Sequence, residues 1–426
     1  MARISSILTN FKSGEISPRL EGRIDLQKYN EAAQKLENMI VFPSGGSTRR
    51  PGTTFAGRSK DGGKVRLINF EFSDEQAYVL EFGANYIRFY KDGGILTEAT
   101  KNITAITKAN PAVVTSSSHG FSNGDRVFIS GVAGMTEVNN LEFTVAGVTT
   151  NTFQLSGINS SSFTTYTSGG TVAKIAEVAT SYSVTEIFEL NHAQSADVLF
   201  IAHKAHAPAK LTRTTATSFT LADINFIDGP YLDENDTTTT ITASANTGTG
   251  ITLTASADFF VSGHVGALIQ FRENVEIGHE AWAASTSYAQ NALVHHNGNL
   301  YKKTDSGSDT SGNQPPVHLE GSETYGDITW EYQHSGTGFV KITAVASATS
   351  ATANVEIHNF LVLPSVATTG TTQFSEGAFS IKNGFPKAVA FYEQRLYFAG
   401  TDLQPQSIFG SKSADFENHT PGTEDD

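Results

Sequence analysis

His203 and His206, three residues apart, are the nearest approach in this sequence to a metal-ligating pair. On a helix that spacing would put both imidazoles on one face. Pro208 and the strand-like run before His203 argue against a helix, and no third ligand follows at a recognisable spacing, so no metal is expected. Carboxylates cluster at Asp233, Glu234 and Asp236, and again at Glu273 and Glu276. Glycoside hydrolysis needs two carboxyls held about 5–10 Å apart across a cleft, which spacing within loops does not establish. With 43 Asp and Glu in 426 residues, chance pairs are expected. The chain has no Cys, which excludes thiolate chemistry and disulfides. It has no G-x-S-x-G elbow, P-loop, dinucleotide fingerprint or H-E-x-x-H. The expectation is a protein that is not an enzyme and uses no cofactor.

The elements that position the charged groups begin with the stretch from Asn10 to Phe55. Pro18 fixes its own φ and biases Ser17 toward an extended conformation, so no helix can start before about Arg19. Asp25 is a candidate N-cap. Leu26, Tyr29, Ala33, Leu36 and Ile40 recur at three- and four-residue spacing, which predicts one amphipathic helix. Pro43 and Gly45-Gly46 end it, and Arg49-Arg50 follow before a second turn at Pro51-Gly52. Three readings fit the double arginine: a phosphate clamp, a partner for carboxylates on a neighbouring subunit, or a solvated pair. The second is favoured, because guanidinium groups suit bidentate pairing at interfaces.

Charge is divided unevenly. Residues 1–66 hold twelve Lys and Arg against six Asp and Glu, a net of +6; the whole chain is −14, so the remainder carries −20. An acidic body argues against a sequence reader of nucleic acid, which shows a basic footprint. It fits a conduit that DNA passes without sticking, and it fits simple solubility equally well. No apolar run approaches the roughly 20 residues that cross a bilayer.

Past the basic start the pattern is β. Tyr78, Leu80 and Phe82 share one face of a period-two run, and Ile87 and Phe89 share a face after Gly83-Ala84-Asn85, which predicts a hairpin. Val198, Phe200 and Ala202 alternate with Leu199 and Ile201, a continuous apolar strand of the kind buried on both faces. Between them, the run H-G-F-S-x-G-D-x-V-x-I from His119 to Ile129, with Phe153 and Leu155, resembles the small β-barrel described as the first-catalytic-cysteine half-domain of ubiquitin-activating enzymes. Without a cysteine the thioester chemistry of that enzyme is impossible, so the resemblance implies a shared fold alone; His119 precedes a glycine and a turn, and is expected to be structural.

The order G-E-x-S-P-R from Gly14, R-x-D at Arg23, Tyr29, G-G at Gly45 and R-R-P-G-T at Arg49 resembles the opening of tail nozzle proteins (tail tubular protein B type) of short-tailed bacteriophages. Later blocks continue the resemblance in the same order: Q-S-A-D-V-L-x-I-x-H from Gln194, P-x-K-L-x-R from Pro208 and D-G-P-Y from Asp228. F-x-x-Q-R-L-x-F-A-G-T from Phe391 completes it. It implies a mainly β protein with a β-propeller-like body, incomplete because the family continues beyond the point corresponding to Asp426. It also implies a helix-containing N-terminal segment and inserted small β-barrel and β-sandwich modules. The expected divisions are 1–100 for the assembly segment and first hairpins, and 101–175 for the small barrel. Propeller-like strands follow at 176–236, then a split β-domain at 237–279 and 337–375 around an insert at 280–336, then further propeller-like strands at 376–426. The function so implied is a structural subunit of a homo-oligomeric, sixfold ring in the virion's tail, assembled in the host cytoplasm. Its partners would be the head–tail adaptor, tail fibres or a spike, and the DNA in transit. Arg19, Arg23, Asp25, Tyr29, Arg49 and Arg50 would form the subunit or adaptor interface.

The insert differs in composition from the rest and holds both tryptophans. Trp282, Tyr288, Val294, Tyr301 and Trp330 resemble the pattern of small chitin- and cellulose-binding β-modules, which lay aromatic faces against sugar rings. Two readings stay open: Trp282, Tyr288 and Tyr301 contact a host glycan on the virion surface, or the aromatics fill the core of a module too small to do without them. A sugar-degrading tail enzyme would show long β-helix repeats, and none is visible.

Overall fold

The computed structural model describes residues 8–73, 76–272, 279–355 and 369–420. The protein is mainly β, with 47% strand and 5% helical residues, and every helical turn among the described residues is a short 3-10 turn. No helix among them is long and apolar enough to cross a membrane. The chain divides into two units, residues 1–57 with 92–94, and residues 58–91 with 95–426.

In the first unit the helix expected after Asp25 does not form. Arg23 takes both carboxylate oxygens of Asp25, at 2.8 and 2.7 Å, so the cap position falls to Leu26, which makes no side-chain capping bond. A single 3-10 turn, Gln27–Glu31, is followed by Ala32 in extended conformation (φ −122°, ψ 163°). Ala32–Ala33 then pairs in parallel with Gly14–Glu15, and the Glu15 carboxylate accepts from the Leu36 N–H at 2.8 Å. Asn38, at φ 56°, starts a hairpin of Met39–Val41 with Ser47–Arg49. Helical spacing of apolar residues stabilises a helix only where a surface buries the stripe. Here Leu26, Tyr29 and Leu36 are half-buried and Ile40 is exposed.

The second unit contains a stack of three antiparallel sheets. Sheet I joins Arg66–Ser73, Gln76–Gly83, Tyr86–Lys91 and Glu177–Ala179; sheet II runs Asn191–Ser195, Val198–His203, His206–Thr215, Ser218–Asp223; sheet III holds Ala388–Tyr392, Arg395–Ala399 and Ile408–Gly410. Tyr78, Leu80, Phe82, Ile87 and Phe89 of sheet I share a core with Leu199, Ile201, Leu211 and Phe219 of sheet II, where Phe89 and Phe219 stack at 3.9 Å. The intervening residues of the same sheet II strand, Phe200 and Ala202, face the other way, into a core with Val389, Leu396 and Phe398 of sheet III. Strand Val198–His203 is thus buried along both faces, each parity of side chain serving a different core. On the far side of sheet III, Tyr392 and Ile408 are exposed. The hairpin of sheet I needs a glycine at its turn: a Cβ on Gly83 would lie 2.2 Å from the Tyr86 ring.

Further groups of strands belong to the same unit. Residues 101–174 form an open seven-stranded path rather than a closed barrel, around a core that includes Val114, Val127, Ile129, Phe143, Phe153 and Leu155. A seven-stranded sheet combines strands from both sides of the aromatic-rich segment. Leu268–Arg272 pairs with Thr337–Ser347, and Ile251–Ala255 with Ser350–Val355. The aromatic-rich segment has its own five-stranded path, in the order Glu280–Ala281, Leu293–His296, Asn299–Lys303, Ile328–His334, Ser322–Tyr325. Among the described residues none of the sheets closes on itself.

Candidate functional site

The six arginine, aspartate and tyrosine positions expected at an interface all fall in the first unit. Arg19 is exposed in the 3-10 turn Pro18–Leu20. Arg23 and Asp25 pair with each other while each side chain stays more than half exposed, and the guanidinium holds the Asp25 carboxyl below its usual range. Such an open pair adds little stability, so both groups remain available to a partner. The Tyr29 hydroxyl accepts from the Gly22 N–H at 3.3 Å. Arg50 donates to Asn38 Oδ1 at 2.8 Å and to the Pro51 carbonyl at 3.3 Å, while Arg49 lies exposed at the end of the hairpin strand. These contacts hold the arginines at separate points of the segment.

The aromatic residues expected to meet a glycan sit differently. Tyr288 and Tyr301 are buried with Trp330, Val294 and Ile328 in one cluster. Tyr288 packs edge-on to Trp330 at 5.3 Å and accepts from the Ala283 N–H at 2.7 Å. Tyr301 donates to the His318 carbonyl at 3.0 Å, and burial pushes its hydroxyl up to about 12. Neither ring offers a face to a sugar; both are spent on the module's own core, as expected of a small module without disulfides. Trp282 is half-buried, edge-on to His296 at 6.1 Å. A buried ammonium completes this core. Lys303 donates to Asp309 at 2.7 Å and to the carbonyls of Asp305 and Gly307 at 3.0 and 3.3 Å.

Asp233, Glu234 and Asp236 are exposed, the first two adjacent on strand Tyr231–Glu234. Glu273 and Glu276 lie outside the described residues. His203 and His206 do come together, with Glu186 from a turn seventeen residues upstream of His203. Sequence spacing missed that third group, and only the pairing register of a hairpin reveals it.

His119 is structural. Its Nδ1 accepts from the Phe121 N–H at 3.0 Å, and its ring stacks on Phe121 and meets Phe153 edge-on. Asp125 closes the next turn by accepting from the Ser122 N–H at 2.8 Å, which lets Val127 and Ile129 enter the core. The family model of the ubiquitin-activating enzyme E1 FCCH domain matches residues 109–176, this same open sheet. No curated protein matches the chain. The chain is therefore similar to the FCCH domain over residues 109–176, and that similarity brings no thioester chemistry to a sequence without cysteine.

Proposed function

We propose that this protein is a structural subunit of the tail nozzle of a short-tailed phage, forming a homo-oligomeric ring below the head–tail adaptor through which DNA leaves the particle. The observation that carries this reading is the make-up of the first unit. Among described residues 8–57, Ala32 is the one buried apolar side chain, whereas Leu20, Ile24, Met39, Ile40, Phe42 and Phe55 are exposed. So small a core does not hold an extended segment in shape by itself. Exposed apolar groups mixed with arginine have the composition of a docking surface.

Two further features support it. The three stacked sheets read as consecutive blades of a propeller-like body, each antiparallel and each packed face to face on the next. The −20 charge beyond residue 66 would keep phosphate backbones from adhering to the wall of a conduit. The alternative role, glycan capture through residues 280–336 by Trp282, Tyr288 and Tyr301, is less favoured because Tyr288 and Tyr301 are buried, which leaves half-buried Trp282 to carry it.

Cryo-electron microscopy of the parent particle tests the proposal. Density for this chain in a ring directly below the adaptor supports it. Density confined to peripheral fibres or spikes overturns it.

A further inference from the structure

Sheet II ends in a tight hairpin at Lys204-Ala205, where His203 and His206 are directly opposed across the two strands. Opposed residues share a face, and the two imidazole centroids lie 5.2 Å apart. Glu186 faces them from the 3-10 turn Glu186–Phe188. That turn is fixed from behind: Ile187 is buried in the core of sheets I and II, and the Ile187 and Leu190 carbonyls accept from Arg66 at 3.1 and 2.7 Å.

The polar atoms at this junction are incompletely satisfied. The Nε2 atoms of His203 and His206 are both buried and make no hydrogen bond, although a carboxylate oxygen lies near each, Glu189 Oε2 at 3.6 Å and Glu186 Oε1 at 3.3 Å. One ring nitrogen from each histidine and one oxygen of Glu186 fall within 4.8 Å of one another. Orphaned buried nitrogens are uncommon and call for an explanation. A shared cation supplies one.

We infer that His203, His206 and Glu186 bind a zinc-class divalent cation, which fastens the hairpin tip of sheet II to the turn at Glu186–Phe188. Two imidazoles and a carboxylate form a nitrogen and oxygen donor set suited to zinc. Tetrahedral zinc with these bond lengths sets its ligand atoms ~3.3 Å apart. Glu186 Oε1 already stands 3.3 Å from His206 Nε2, so the remaining closure falls to His203. The other Glu186 oxygen is pinned by the Ser183 N–H at 2.7 Å.

Surrounding groups fit the same assignment. Ser181 Oγ lies 3.2 Å from His206 Nδ1 and can accept its proton, which leaves Nε2 as the ligand. Glu189 Oε2 is 3.6 Å from His203 Nε2 and paired with Lys204 at 2.8 Å, so a second carboxylate lies beside the site. Binding has one local cost. His203 Nδ1 accepts from the Ala205 N–H at 3.2 Å, and the metal-bound form, with its proton on Nδ1, gives that contact up.

The test uses the full-length chain stripped with EDTA and then dialysed against zinc. The expected result is one retained zinc per chain and a raised unfolding midpoint, because a ligand that binds only the folded state stabilises it. Magnesium should produce neither. His206→Gln and Glu186→Gln should each lose the retained zinc and the zinc-dependent rise while keeping the metal-free midpoint. Cobalt in place of zinc should give the wild-type chain the visible absorption of a tetrahedral site. Failure of the wild-type chain to retain zinc overturns the inference, as does equal retention by both variants. Should a variant not fold, amide exchange on the wild-type chain decides. Zinc-dependent protection at residues 183–189 and 200–208 supports the site, and unchanged exchange there overturns it.

Discussion

Arg88 of sheet I, wholly buried, makes a two-pronged contact with Glu142 of the 101–174 sheet at 2.7 and 2.8 Å. Its Nε reaches Glu177 at 2.8 Å. Glu142 in turn meets Arg126 at 3.2 Å, and Arg126 pairs with Asp61. The FCCH-like module is therefore joined to sheet I by a buried, fully paired guanidinium. Neither neighbouring sequence pattern announces that junction.

Removing one member of such a buried group leaves the others as uncompensated charges. Arg88→Met should destabilise the chain by about 3–5 kcal/mol in denaturant unfolding. Arg88→Lys should recover little of this, since an ammonium cannot reproduce the fork to Glu142 with a further bond to Glu177. A loss below about 1 kcal/mol, the scale of an exposed pair, would show that the junction rests on apolar packing instead.

Glu376 offers a pH test. Burial would raise its carboxyl, but hydrogen bonds from His264 at 3.0 Å and Lys382 at 2.8 Å outweigh burial and hold it at about 2. A depressed acid contributes stability that is complete above its unfolded value of 4.5 and disappears as pH falls toward about 2. The full contribution is on the order of 3 kcal/mol. Unfolding free energies of wild type and Glu376→Gln measured from pH 7 to pH 2 should converge through that window. Parallel curves would contradict the assignment.

Within the 280–336 module, Tyr301→Ala should cost about 3–5 kcal/mol of the module's stability by opening a core cavity. Trp282→Ala should cost much less. Thermal unfolding followed by tryptophan fluorescence distinguishes them, and equal effects would mean that Trp282 is as much a core residue as Tyr301. A glycan array with the intact chain should show no binding that depends on Tyr288 or Tyr301.

For the first unit, Ile24→Asp combined with Phe55→Asp should leave the unfolding free energy within about 0.5 kcal/mol of wild type, as for surface substitutions. Assembly into higher oligomers, read by native mass spectrometry, should fail. Intact oligomers from the double variant would remove these side chains from the interface.

The readable parts of the sequence were those in which one physical rule acts alone. Alternation along Tyr78–Phe82 and Ile87–Phe89 showed the hairpin because a half-buried strand permits little else. The unbroken run Val198–His203 showed a strand buried on both faces. Gly120, Gly124 and Asp125 marked turns whose positive φ or side-chain closure those residue types supply. The N-terminal helix was misread because apolar spacing says nothing about whether a surface exists to bury the stripe, and Arg23 had claimed the cap. Tyr288 and Tyr301 were ambiguous for a related reason, since an aromatic has the same spacing on a core face as on a binding face. Glu186 was invisible as a partner of His203 and His206 because strand register and a buried Ile187, not proximity in sequence, bring it there.

Strand Val198–His203 has a consequence for how the protein comes apart. With Leu199 and Ile201 committed to one core and Phe200 and Ala202 to the other, a shift of this strand loosens both interfaces at once. Sheets I, II and III must then melt as one cooperative block. The 280–336 module has a hydrophobic cluster of its own and shares no residue with either core, which leaves it free to open at a lower temperature, as a separate foldon.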